Sequence, residues 1–106
     1  MFFELRQYYS QPGKRDALVA MMEDEIIPFQ VGKGMVIVGS FVDEQDADGY
    51  VWIRRFDSED ERKAQYAAVY ESDFWKNDIG PRIPEVLIRE RINVRRLEPT
   101  SRSLIH

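Results

Sequence analysis

Tyr50-Val51-Trp52-Ile53-Arg54-Arg55-Phe56, read beside Phe3-Glu4-Leu5-Arg6-Gln7-Tyr8, is the stretch that decides the fold. Side chains of a strand alternate between its two faces. Phe3 and Leu5 therefore share a face with Val51 and Ile53 if the two strands are neighbours. Glu4, Arg6 and Tyr8 share the other with Tyr50, Trp52, Arg54 and Phe56. The first set suits packing against helices. The second is too aromatic for plain surface and too charged for a simple hydrophobic interface. It is expected to form the open face of a sheet, with a second copy of the chain as its lid across a two-fold axis.

The rest of the chain supplies the elements around these strands. Phe2 to Tyr9 reads as a strand stopped by Pro12-Gly13. Between Lys14 and Ile27, the residues Leu18, Met21, Met22 and Ile26 recur at spacings of three and four, the stripe of an amphipathic helix, which Pro28 ends or kinks. Met35 to Val42 is apolar and β-branched, as expected of a strand covered on both sides. Asp43 to Gly49 is a polar hairpin connection. Ser58-Glu59-Asp60-Glu61 fits a capping box ahead of a second helix presenting Tyr66, Val69, Tyr70 and Phe74. Residues 75–86, broken by Gly80, Pro81 and Pro84, predict a loop with a short helical turn. Ile88 to Leu97 is the last strand.

This order, β-α-β-β-α-β, is the ferredoxin-like α+β arrangement. Right-handed crossovers predict an antiparallel four-stranded sheet of order 4-1-3-2 with both helices on one face. With 106 residues, of which 43% are apolar and 32% charged, the chain is expected to be one domain, residues 1–106, with a real core.

Phe3-Glu4-Leu5-Arg6-Gln7-Tyr8 followed by Pro12-Gly13-Lys14 resembles the opening of NIPSNAP-family domains. Val38-Gly39-Ser40-Phe41 is similar to that family's second strand, and Tyr50-Val51-Trp52-Ile53 with Arg55-Phe56 to its third. Tyr70, Ser72, Trp75 and the closing Arg96-Leu97-Glu98-Pro99 resemble its later landmarks. The resemblance implies the dimeric α+β barrel, in which two ferredoxin-like sheets face each other. It does not imply one reaction. Relatives by fold include cofactor-independent monooxygenases, haem-degrading enzymes, muconolactone isomerases and dyp-type peroxidases, and a shared fold does not carry a shared function.

Several chemistries are excluded by residue type. The chain has no cysteine, so thiol catalysis, Cys-ligated zinc and iron–sulfur clusters are out. The one histidine, His106, is the last residue and a poor base for haem ligation or a triad. Glu44, Asp46, Asp48 and Gly49 faintly resemble a calcium loop, but the position needing a bidentate Glu is Arg55. No cofactor or metal is expected. Net charge is −4 with no basic cluster, so nucleic acid is not an expected partner. No apolar run reaches the roughly 18 residues of a membrane span, and the start lacks a signal peptide, so the expected location is cytoplasmic.

What remains are ligand-binding candidates on the aromatic, charged face: Glu4, Arg6, Tyr8, Trp52, Arg54 and, further along the chain, Trp75. Arg6 and Arg54 would hold a carboxylate or polarise a carbonyl. Tyr8, Trp52 and Trp75 would stack on a planar ligand. Glu4 would be a base if burial raised its pKa. The competing reading pairs Glu4 with an arginine across the sheet and uses Tyr50, Trp52 and Phe56 as a dimer interface. Two functions follow. One is a homodimeric small-molecule-binding protein, extending to a cofactor-independent oxygenase or isomerase of an aromatic or acidic metabolite. The other is a non-catalytic interaction module. An enclosed, ligand-sized cavity behind Trp52 and Arg54 would favour the first.

Overall fold

Alternating strands and amphipathic helices leave the chain few ways to bury its apolar stripes, and the computed structural model, which describes residues 1–106, shows which one it takes. In chain order the elements are β1 (Phe2–Tyr9), α1 (Arg15–Met21, Met22–Ile26 and Ile27–Gly32 in one continuous run), β2 (Val36–Val42), β3 (Gly49–Phe56), α2 (Glu59–Tyr70), α3 (Trp75–Ile79, Gly80–Arg82 and a 3₁₀ turn Ile83–Glu85) and β4 (Asn93–Leu97), with a further 3₁₀ turn at Arg89–Arg91. The sheet has the order β2-β3-β1-β4, all neighbours antiparallel. This is the expected α+β, ferredoxin-like topology. No helix is long and apolar enough to cross a membrane.

The register of the two central strands pairs Phe2 with Phe56, Glu4 with Arg54, Arg6 with Trp52 and Tyr8 with Tyr50. The grouping by strand parity therefore holds, but the faces are exchanged. Tyr8, Tyr50 and Trp52 are buried in one core cluster with Leu18, Met21, Met22 and Ile26 of α1, while Phe2 and Phe56 form a second with Met35 and Val69. Glu4 and Arg54 are fully buried. Tyr50, Trp52 and Phe56 thus lie beneath the helices and cannot form an interface on the open face. The open face carries Phe3, Leu5, Val51 and Ile53 instead. The physical reason lies in the helices, whose inner surface brings Gln30, Arg62, Tyr66 and Tyr70 to meet the charged strand residues.

Four further expectations are corrected. β2 takes the edge position that the predicted order gives it but is not covered on both faces, since Val36, Val38, Phe41 and Val42 are exposed. α1 does not end at Pro28. Met22–Ile26 is a π-helical turn, in which the Ile27 N–H bonds Met22 O, and Pro28 follows at the second residue of the next α-helical piece, where a missing donor is tolerated. Residues 75–86 are mostly helical by the same device: Trp75–Ile79 is a second π-turn, with the Gly80 N–H on Trp75 O, and Pro81 follows it. The last strand begins at Asn93 rather than Ile88, because Arg89–Arg91 turns first. The capping box holds in half. Ser58 Oγ accepts from the Glu61 N–H at 3.1 Å, whereas the Glu61 carboxylate accepts from Gln65.

Glycine is required at position 80 for a reason specific to the π-turn. A Cβ there would stand 2.8 Å from the Trp75 carbonyl oxygen. Gly→Ala within a helix is ordinarily stabilising by about 1 kcal/mol. Here Gly80→Ala is expected to destabilise by about 1–3 kcal/mol, the usual cost of overpacking. The urea unfolding midpoint reads the sign, and a gain in stability would show that the turn does not depend on that close approach.

Candidate functional site

Glu4 sits on a central strand with no route to water, so its charge must be met inside the protein. Arg54, opposite it on β3, donates from Nη2 to Glu4 Oε1 at 2.7 Å, and Arg62 on α2 donates from Nε to Oε2 at 2.7 Å. Tyr66 Oη lies 2.8 and 2.9 Å from the two carboxylate oxygens and accepts from Arg54 Nη2 at 2.6 Å. The other Arg54 terminal nitrogen donates to Gln30 Oε1 at 3.0 Å and Tyr70 Oη at 2.8 Å. One carboxylate, two arginines, two tyrosines and a glutamine thus tie β1 and β3 to α1 and α2.

This arrangement decides what Glu4 does. Burial alone would raise its pKa, but the Arg62 hydrogen bond, the Arg54 charge and the Tyr66 hydrogen bond overcome it and hold the carboxyl below its ordinary value. Glu4 is an ionised anchor and not a base, in line with the reading that pairs it with an arginine across the sheet. Burial pushes the Tyr66 phenol up to about 12, so it stays protonated and donates to Glu4.

Next to this network lies a cavity of about 220 Å³ between the sheet and the helices. Leu18, Met21, Met22, Ile26 and Gln30 of α1, Tyr70 of α2, and Trp75 and Ile83 of α3 wall it above; Arg6, Tyr8 and Trp52 form its sheet floor; Leu87, Arg89 and Ile92 close the side. Exposed Arg89 with half-buried Trp75 and Ile92 marks the rim, and fully buried Trp52, Leu18 and Met22 the depth. Both π-turns contribute walls, through Met22 and Ile26 in one and Trp75 in the other. A π-turn widens a helix by one residue, which holds apart side chains that α-helical spacing would bring together.

Of the sequence candidates, Arg6, Tyr8, Trp52 and Trp75 meet at this cavity. Glu4 and Arg54 do not line it; they stand behind Arg6 and hold the floor in place. Arg6 donates from Nε to Tyr8 Oη at 3.0 Å and from Nη1 to Tyr66 Oη at 3.4 Å, and its guanidinium lies 5.9 Å from the centre of the Trp52 ring. Trp75 packs edge-on against Tyr70 with centroids 4.8 Å apart. The sequence reading missed Gln30, Tyr70, Arg62 and Arg89. Arg62, Tyr66 and Tyr70 recur four residues apart on one helix, a polar aromatic stripe that matches a charged sheet face, and that was the available signal.

Removing the anchor has a defined cost. Glu4→Gln is expected to destabilise the protein by about 3–5 kcal/mol near neutral pH, since Arg54 would be left buried without its carboxylate. Because the folded pKa of Glu4 is depressed, its contribution is complete above the ordinary carboxylate pKa and disappears as pH falls through the folded value. Urea unfolding at several pH values should therefore show the gap between wild type and variant narrowing only in acid. A gap unchanged down to the acid limit would rule out an ionised Glu4.

Comparison with known proteins places these observations. Among solved structures, a NIPSNAP family protein of Agrobacterium tumefaciens is 26% identical, with 100% of this chain and 94% of that one covered and a TM-score of 0.88. A NIPSNAP domain protein of Burkholderia xenovorans is 21% identical over 97% and 98% of the two chains, with a TM-score of 0.84. An antibiotic biosynthesis monooxygenase shares the fold alone, at 15% identity over 94% and 99% with a TM-score of 0.63. None of the curated proteins compared matches the chain significantly. The NIPSNAP family model matches residues 3–103, nearly the whole sequence and every element described above. The chain belongs to the NIPSNAP family.

Proposed function

We propose that the protein binds a small molecule with an apolar body in the cavity between its sheet and helices. The observation that carries this reading is a space of about 220 Å³, walled chiefly by apolar side chains, beside a polar network whose Glu4, Gln30 and Arg54 are fully buried. Close-packed interiors do not keep such a space without reason. An apolar cavity of about 150 Å³ holds benzene, so this one takes a molecule of one ring or a short aliphatic chain. A ligand-sized cavity, open at its Arg89 rim, also favours binding over an interaction module, which needs none. As for chemistry, the residues favour binding over proton transfer. Glu4 is committed to its arginines, and burial raises the pKa of Tyr8, the phenol on the cavity floor.

The chain has two tryptophans, and both line the cavity. Intrinsic fluorescence therefore reports occupancy without a label. Titration with small neutral aromatics such as benzyl alcohol should give a saturable change, and Met22→Phe, which replaces a flexible wall residue with a rigid ring, should weaken it while leaving the protein folded. Binding unaffected by Met22→Phe would place the ligand elsewhere.

The homodimer implied by the family fold belongs, on this reading, to the opposite side of the sheet. Half-buried Leu5, Val51 and Ile53 form an apolar patch there, with buried Phe3 beside the C-terminal segment and exposed Phe41 and Leu97 at its margins. Each protomer then has its own pocket, and the partner does not cover it. Ile53→Glu should convert a dimer to monomer in light-scattering chromatography. A wild-type protein that runs as a monomer at high concentration would sink the dimer.

A further inference from the structure

We infer that the ligand is an anion, a small carboxylate with a ring-sized apolar body, held by Arg6 and the indole N–H of Trp52. This rests on the cavity being a binding site and goes on to name what fills it. The first observation is a charge imbalance. Arg54 and Arg62 both hydrogen-bond the Glu4 carboxylate, and Glu59 accepts from Arg62 and lies 2.7 Å from Arg96. Arg6 approaches Glu4 no closer than 3.7 Å and makes its hydrogen bonds only to the neutral phenols of Tyr8 and Tyr66. It is the guanidinium of this network that no carboxylate hydrogen-bonds. Its side chain is 15% exposed, so water screens it little.

The second observation is independent. Trp52 is 1% exposed, and its Nε1 is buried without a hydrogen-bond partner. A buried N–H left unpaired costs about 1–3 kcal/mol, and such groups in native proteins call for an explanation. Of the buried polar side-chain atoms lacking partners, Trp52 Nε1 alone belongs to a residue lining the cavity. A third point is what the lining omits. It contains two arginines, Arg6 within and Arg89 at the rim, and no Asp or Glu. Arg89 donates to the Gly80 carbonyl and pairs with no carboxylate. A planar carboxylate supplies acceptors for both Arg6 and the indole, and the negative charge the floor lacks. The apolar walls take the ring.

The test separates this inference from the cavity itself. Phenylacetate and phenylacetamide have nearly the same shape and differ in charge. Fluorescence and calorimetric titrations of the wild-type protein should show phenylacetate binding about tenfold or more tightly, as expected of hydrogen bonds to charged groups. Arg6→Gln should remove that preference while the amide still binds, and Trp52→Phe should reduce it without emptying the site. Equal affinities for the two probes would overturn the anion and leave the cavity reading intact. If neither probe binds, both fail. The wild-type comparison decides the question even if Arg6→Gln does not fold.

Discussion

A carboxylate cannot stay charged in the middle of a small protein unless its partners arrive from every side, and the pairing of Glu4 with Arg54 makes that requirement the organising constraint of this fold. Arg54 engages its two terminal nitrogens with Glu4, Tyr66, Tyr70 and Gln30, and Glu4 is met further by Arg62 and Tyr66. These partners come from both long helices. The helices are consequently fixed in angle and height above the sheet by directional bonds as well as by apolar packing. Buried ionic networks of this kind contribute less to net stability than their bond lengths suggest, but removing one member is expensive. Position, more than stability, is what the network supplies.

That explains how the pocket comes to exist. A helix layer held by apolar contacts alone would settle until the space closed. Here the network stands at one end of the sheet's inner face, Phe2, Phe56 and Val69 fill in around it, and the remaining floor, Arg6 with Tyr8 and Trp52, faces helices kept at a set distance. The two π-turns add width where that distance alone would not leave room. Arg82 joins them, with its guanidinium on Glu25 in the first and Asp78 in the second. A further ion pair joins Arg96 of β4 to Glu59 at the start of α2.

Much of this was legible in the residues. Strand parity grouped Glu4, Arg6, Tyr8, Trp52 and Arg54 correctly, since period-two alternation needs no tertiary information. The stripe of Leu18, Met21, Met22 and Ile26 was correct for the same reason. Choosing which face of the sheet the helices cover was not possible by the rule that apolar residues turn inward. That rule compares side chains with water, whereas these charges are compared with Arg62, Tyr66 and Tyr70, and the comparison is visible only when the second helix is read against the strands. Pro28 and Pro81 misled for a local reason. Each was read as an interruption of its helix, but each follows a π-turn, where the ladder has already changed register. The cavity was legible only in part, through Arg6, Tyr8, Trp52 and Trp75, because its place beneath the helices depends on the face they cover.

The π-turns also bear on how this pocket can change over time. Side-chain substitution alters a wall by a methyl group or a ring. Deleting one residue from Met22–Ile26 or Trp75–Ile79 would return that helix to ordinary pitch and draw in the wall that the extra residue pushes outward. Ligand size in such a scaffold is then governed by insertions and deletions as well as by point mutation, and related chains that differ by a single residue in these turns should differ in what they can hold.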